Sequence, residues 1–187
     1  MTHFEYISVA VSIILGLGVI QLLSNLDRVF AQSRRYWLHS VWVFILFWIL
    51  VQNWWAFWDL KNVAWSLGYF SLWVTYVSAL YLTVLALTKT NSAEVSWEEV
   101  YFSRTRRFFG LFGFVVILAV LLTWIMLDAS LLHPYRYMQY TSIAILAVLF
   151  ASKRKRLHEV LSILFITIVM LSQVIFRLRP GLFENAS

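Results

Sequence analysis

Few residues in this chain have chemistry to offer, and most of those lie inside long apolar runs, where a polar side chain costs free energy unless it is paired or faces water. Trp48, Gln52, Trp55 and Asp59 follow spacings of four, three and four, so they share one helical face. Further along, Glu159, Ser162, Ile166, Met170, Gln173 and Arg177 form a second stripe whose polar ends are divided by the apolar Ile166 and Met170. Two such stripes would line a water path with an apolar constriction, an arrangement that gates by dewetting. The structural alternative is that Gln52 and Gln173 bond between helices while Asp59 and Arg177 snorkel to an interface.

A second group is titratable. Asp27, His39, His158 and Glu159 all fall at the ends of apolar runs and at similar expected depth, which makes them a candidate pH-sensitive layer, because a carboxylate beside an imidazole favours its charged form. The plainer reading of both histidines is hydration at the lipid headgroups. His39 and His158 also raise a bis-histidine haem as a third reading, although no second histidine pair stands at matching depth.

Catalysis has little to stand on. The chain contains no cysteine, which removes thiolate zinc, iron–sulfur and thiol chemistry. His158-Glu159 continues as Val160-Leu161-Ser162, so no zinc-binding His-Glu-x-x-His helix forms, and neither a Gly-x-Ser-x-Gly elbow nor a phosphate-binding glycine loop is present. The residues call for neither cofactor nor metal, and the expectation is a protein that is not an enzyme.

The elements that position these residues follow from composition. Of 187 residues 61% are apolar and 13% charged, against roughly 45–50% and about 25% in an ordinary soluble domain. The pattern predicts an all-α integral membrane bundle of six transmembrane helices, over about 6–27, 36–58, 65–88, 108–127, 137–152 and 158–177. The fifth is short, reaching about 24 Å at 1.5 Å per residue. No proline and no charge lies at mid-depth in any span, which argues against an ion-coupled transporter.

Orientation follows from the basic residues. With the N-terminus outside, the inner segments hold eleven of them (Arg28, Arg34, Arg35, Lys89, Arg104, Arg106, Arg107, Lys153, Arg154, Lys155 and Arg156) and the outer segments four, Lys61, Arg136, Arg177 and Arg179. Both termini are therefore expected outside. Trp54, Trp55, Trp58, Trp65, Trp124, Tyr135 and Tyr137 would form an outer aromatic belt and Tyr36, Trp37, Trp97 and Tyr101 an inner one.

Ser96-Trp97-Glu98-Glu99 reads as a capping box opening a helix over 96–107. Its mixture of aromatics with Arg104, Arg106 and Arg107 suits an amphipathic helix lying on the bilayer surface. With Lys153, Arg154, Lys155 and Arg156 these arginines are expected to meet anionic lipid at the cytoplasmic face, not nucleic acid. Ser8, Ser12, Gly16 and Gly18, and likewise Gly68, Ser71, Thr75 and Ser78, form small-residue seams that permit close helix approach, within the bundle, to a second copy in a homo-oligomer or to a membrane partner.

The opening Phe4-Glu5-Tyr6-Ile7-Ser8-Val9, the Ile14-Leu15-Gly16-Leu17-Gly18 that follows, and Trp54-Trp55 late in the second helix resemble a group of small bacterial membrane proteins to which no activity is attached. The resemblance covers mainly the first third of the chain. It implies a bacterial inner-membrane location and carries no site residues. The expectation is a non-catalytic membrane component that assembles with itself or a partner, with a channel or small-solute conduit as the alternative.

Overall fold

The computed structural model describes residues 3–26, 36–89 and 96–177. Asp27, and the side chain of Arg177, lie outside the described residues. All regular structure among the described residues is helical: α1 (His3–Leu23), α2 (Trp37–Phe57) with a 3-10 turn at Trp58–Leu60, α3 (Leu67–Thr88), α4 (Trp97–Leu127), α5 (Pro134–Ala151) and α6 (Lys155–Ser172), which runs into a π turn at Gln173–Arg177. Five of the six, all except α5, are long and apolar enough to cross a membrane. α5 falls short because Arg136, Gln139, Thr141 and Ser142 dilute its first half.

Local chemistry sets the boundaries. Ser66 accepts the Tyr69 N–H at 3.2 Å and Ser96 the Glu99 N–H at 3.3 Å, so each hydroxyl satisfies one of the free N–H groups of a first turn. Pro134 stands at the first turn of α5, where a missing N–H costs nothing, and His133 Nδ1 accepts the Tyr135 N–H. α4 ends at Asp128, which takes the left-handed conformation (φ 48°) while its N–H reaches back to the Thr123 carbonyl.

α4 has 31 residues, about 46 Å at 1.5 Å per residue, well over the roughly 30 Å of hydrocarbon. The segment 97–107, expected to lie along the surface, is continuous with the span and shares its axis. No proline interrupts it. α4 is also the centre of the bundle, packing along α3 on one side and α5 on the other, while α1 rests on α3 and α2, α6 on α5, and α2 reaches α3, α4 and α6.

Hydroxyls inside the bundle mostly bond their own helix. Thr83, Thr88, Thr105 and Ser142 each donate to the carbonyl four residues earlier, which removes a donor that lipid or core would otherwise leave unsatisfied. Gly18 makes the close approach of α1 to α2, since a Cβ there would sit 3.1 Å from a Leu50 methyl; Gly16 has open space beside it. The core centres on Trp42, whose ring lies 5.1–5.9 Å from those of Phe108, Phe109, Phe112 and Phe165. Each such pair adds about 0.5–1.5 kcal/mol beyond the area it buries.

Candidate functional site

One end of the bundle gathers the starts of α2, α4 and α6 and carries most of the described basic residues; the opposite end carries Asp59, Asp128, Lys61 and Arg136. At the basic end His158 is fully buried, with Nε2 2.9 Å from the Ser152 carbonyl and Nδ1 2.9 Å from the Tyr101 hydroxyl. A carbonyl only accepts, so Nε2 carries the proton and Nδ1 accepts from Tyr101. Trp42 Nε1 donates to Ser162 at 3.0 Å, and both side chains stand beside the Tyr101 hydroxyl. Two short runs of bonds, Trp42 to Ser162 and Tyr101 through His158 to the Ser152 carbonyl, thus lie side by side and tie α2, α4 and α6 together.

His39 sits beside these bonds, fully buried and stacked on Trp97 at 4.4 Å, with neither ring nitrogen hydrogen-bonded. Glu159 is half-buried on the same end, and Lys155 closes the surface with a 2.7 Å ion pair to Glu98. His39, His158 and Glu159 thus lie at one end, and the two histidines have unlike surroundings. Both nitrogens of His158 are engaged, so serving as a haem ligand would break one of those bonds.

Toward the opposite end the helices part around a cavity of about 150 Å³ bounded by α2, α3, α4, α5 and α6. Gln52, Asn53, Asp59, Gln139, Ser172 and Gln173 supply polar wall, and Val115, Ala119, Leu122, Ile168 and Val169 supply apolar wall. Phe112 and Phe165 form its floor, at 5.6 Å from each other and against Trp42 beneath. Below that floor lies the Trp42–Ser162 bond. Behind the wall stands Arg136, 1% exposed, donating to Thr123 Oγ1 (2.6 Å), Gln139 Oε1 (2.9 Å), the Ala129 carbonyl (3.2 Å) and the Ser130 carbonyl (3.4 Å). A buried guanidinium is tolerable only when its N–H groups find acceptors in this way.

Of the conduit candidates, Gln52, Asp59 and Gln173 line this cavity, Ser162 lies below its floor, and Glu159 is at the far end. Ile166 and Met170 are half-buried and stand off the lining; the α6 face on the cavity is Phe165, Ile168, Val169 and Ser172. Of the seams, Gly68, Ser71 and Thr75 are on the exposed side of α3, Ser78 is half-buried, and Ser12 accepts Trp54 Nε1 at 3.1 Å. Arg106, Arg107, Lys153, Arg154, Lys155 and Arg156 are exposed, while Arg104 is half-buried and lies 3.5 Å from the Ala86 carbonyl.

Sequence reasoning passed over Arg136, Gln139, Asn53 and the Tyr101–His158 bond. Arg136 and Gln139 did carry a signal: three residues apart on one helix, they face each other. Among the described residues no three His, Cys, Asp or Glu side chains gather as a metal site. Comparison with protein families, with curated proteins and with solved structures finds no match to this chain.

Proposed function

We propose that the chain is a six-span, non-catalytic component of a bacterial inner membrane, N-terminus and C-terminus outside, that acts by binding and by assembling with itself or a membrane partner. The observation behind this reading is how the interior polar groups are used. Trp42 and Ser162 are consumed in one bond at 3.0 Å, Tyr101 and His158 in another at 2.9 Å, Asn53 and Tyr76 in a third at 2.7 Å, and Gln21 and Thr88 in a fourth at 3.2 Å. Such bonds fix helix register in lipid, where burial against a neighbour gains little over burial in acyl chains. For assembly, the exposed face of α3 at Gly68, Ser71 and Thr75 is smooth, and the Thr75 hydroxyl is spent on the Ser71 carbonyl at 2.8 Å. Native mass spectrometry of the protein released from its own membrane is the test: a second copy or a bound partner, lost on Thr75→Leu, is expected, and a bare monomer in both cases overturns the assembly reading.

The cavity favours the conduit as a second reading, with Phe112 and Phe165 as the closure. On that reading Phe165→Ala raises ion leak through liposomes and Ile166→Ser does not. Background flux of protons, potassium and chloride in the wild type and both variants removes it.

A further inference from the structure

We propose that the cavity between α2, α3, α4, α5 and α6 binds a neutral, ring-sized molecule that presents a hydrogen-bond acceptor, a carbonyl above all, to the side-chain amide of Gln139. Size comes first. A cavity of about 150 Å³ accommodates a benzene-sized guest. Its wall is largely aliphatic and aromatic, which suits an apolar body with few polar atoms.

Polarity then follows from the wall groups nearest Arg136. A guanidinium has donors only, so the Gln139 atom 2.9 Å from Arg136 Nη1 is the amide oxygen, and the NH₂ is turned away from Arg136. Asn53 gives one N–H to the Ile49 carbonyl and accepts from Tyr76, each at 2.7 Å. The Thr123 and Ser142 hydroxyls donate to their own helices, at 2.8 Å each. What the wall beside Arg136 offers a guest is a donor, the Gln139 NH₂, polarised by the Arg136 charge behind it. That charge disfavours a cation, and the Asp59 carboxylate on the wall disfavours an anion. A neutral acceptor fits both. This goes beyond the component reading and requires no transport.

The test uses the full chain in nanodiscs and an isosteric pair, cyclohexanone and methylenecyclohexane, which differ by oxygen against CH₂. Corrected for partition into empty nanodiscs, cyclohexanone binds about three- to ten-fold more tightly, the effect of one net hydrogen bond, and shifts the ¹⁵N side-chain signal of Gln139. Gln139→Glu keeps an acceptor for Arg136 but removes the donor: it abolishes the preference for the ketone and leaves methylenecyclohexane binding intact, which also shows that the variant is folded. Ala119→Phe fills the space and eliminates both. Equal affinity for the pair in the wild type, a preference that survives Gln139→Glu, or binding of neither overturns the proposal. Displacement of cyclohexanone by a decyl-tailed benzoquinone dissolved in the lipid upholds it with a membrane-borne ligand, and ketone binding without displacement upholds it with a ligand from water.

Discussion

Two tyrosines at the basic end, with rings 5.6 Å apart, offer a sharp test of what holds this bundle together. Both are buried, Tyr101 to 3% exposure and Tyr36 to 6%. Tyr101 donates to His158 Nδ1, whereas the Tyr36 hydroxyl has no hydrogen-bond partner. Replacing either with phenylalanine keeps the ring and creates almost no void, so the cavity penalty is absent and only the hydroxyl's bonding is read. Tyr101→Phe strands His158 Nδ1 at zero exposure. A stranded buried group costs about 1–3 kcal/mol in water-soluble proteins, and single bonds in bilayer proteins average about 0.6 and reach about 1.7 kcal/mol. The expected loss is thus about 1–2 kcal/mol, roughly a tenfold fall in the folding equilibrium. Tyr36→Phe removes a hydroxyl whose burial costs free energy, so stability should hold or rise by up to about 1 kcal/mol. Reversible unfolding in mixed micelles of mild detergent and dodecyl sulfate, followed by circular dichroism, measures both. Tyr101→Phe combined with Ser162→Ala should cost less than the sum of the two. Equal midpoints for Tyr101→Phe and Tyr36→Phe, or a greater loss for Tyr36→Phe, would refute the reasoning.

The contrast between the two glycines of α1 is equally direct: Gly18→Leu, driven into Leu50, should lower stability by about 1–3 kcal/mol in the same assay, while Gly16→Leu, with nothing within 4 Å of its Cβ, should not. If α5 crosses the membrane, Ser130→Cys labels with an impermeant thiol reagent from outside and Lys153→Cys does not; labelling of both would make α5 and α6 a hairpin that stays on one side. Lys155→Met should leave the unfolding midpoint unchanged within error at physiological salt, since its pair with Glu98 is about half exposed at each partner, and a large drop would show that the pair is structural.

Helix content and most boundaries were legible before any coordinates, because caps are local chemistry. Ser96 with Glu99 and His133-Pro134 announce helix starts through atoms within three residues of each other. The shortness of the fifth span was also legible, and its physical counterpart is the polar first half of α5. Which face of a helix meets its neighbours was much harder to read. In water, apolar residues mark the buried side; in a bilayer both sides are apolar, so the contrast that periodicity depends on fades. On α6 the polar stripe pointed to Ile166 and Met170, whereas the cavity is lined by Phe165, Ile168, Val169 and Ser172. The aromatic belts divide for the same reason: Trp54, Trp55, Trp58, Trp124 and Tyr137 are exposed, but Tyr36, Trp97, Tyr101 and Tyr135 turn inward and bury.

Arg136 shows how one side chain can serve two arguments of different kinds. Counted as a charge on a loop, it is one of four basic residues set against eleven and says only which side faces out. Placed in the fold, it is a fully buried cation whose donors go to Thr123, Gln139 and two carbonyls at the turn between α4 and α5. The Gln139 contact lies within α5 and its spacing is legible, but those to Thr123 and the loop carbonyls form only once α5 has docked on α4, and no reading of sequence spacing reaches them. The same contacts explain how α5 can hold its place in a bundle with so polar a first half. Its polar atoms are satisfied by α5 itself, by the loop before it and by Thr123 of α4 rather than by lipid or water, and the face that remains, Gln139 with Ser142, is the wall of the cavity. The feature that makes α5 the least convincing membrane helix by composition is thus the feature that furnishes the cavity with its oriented donor.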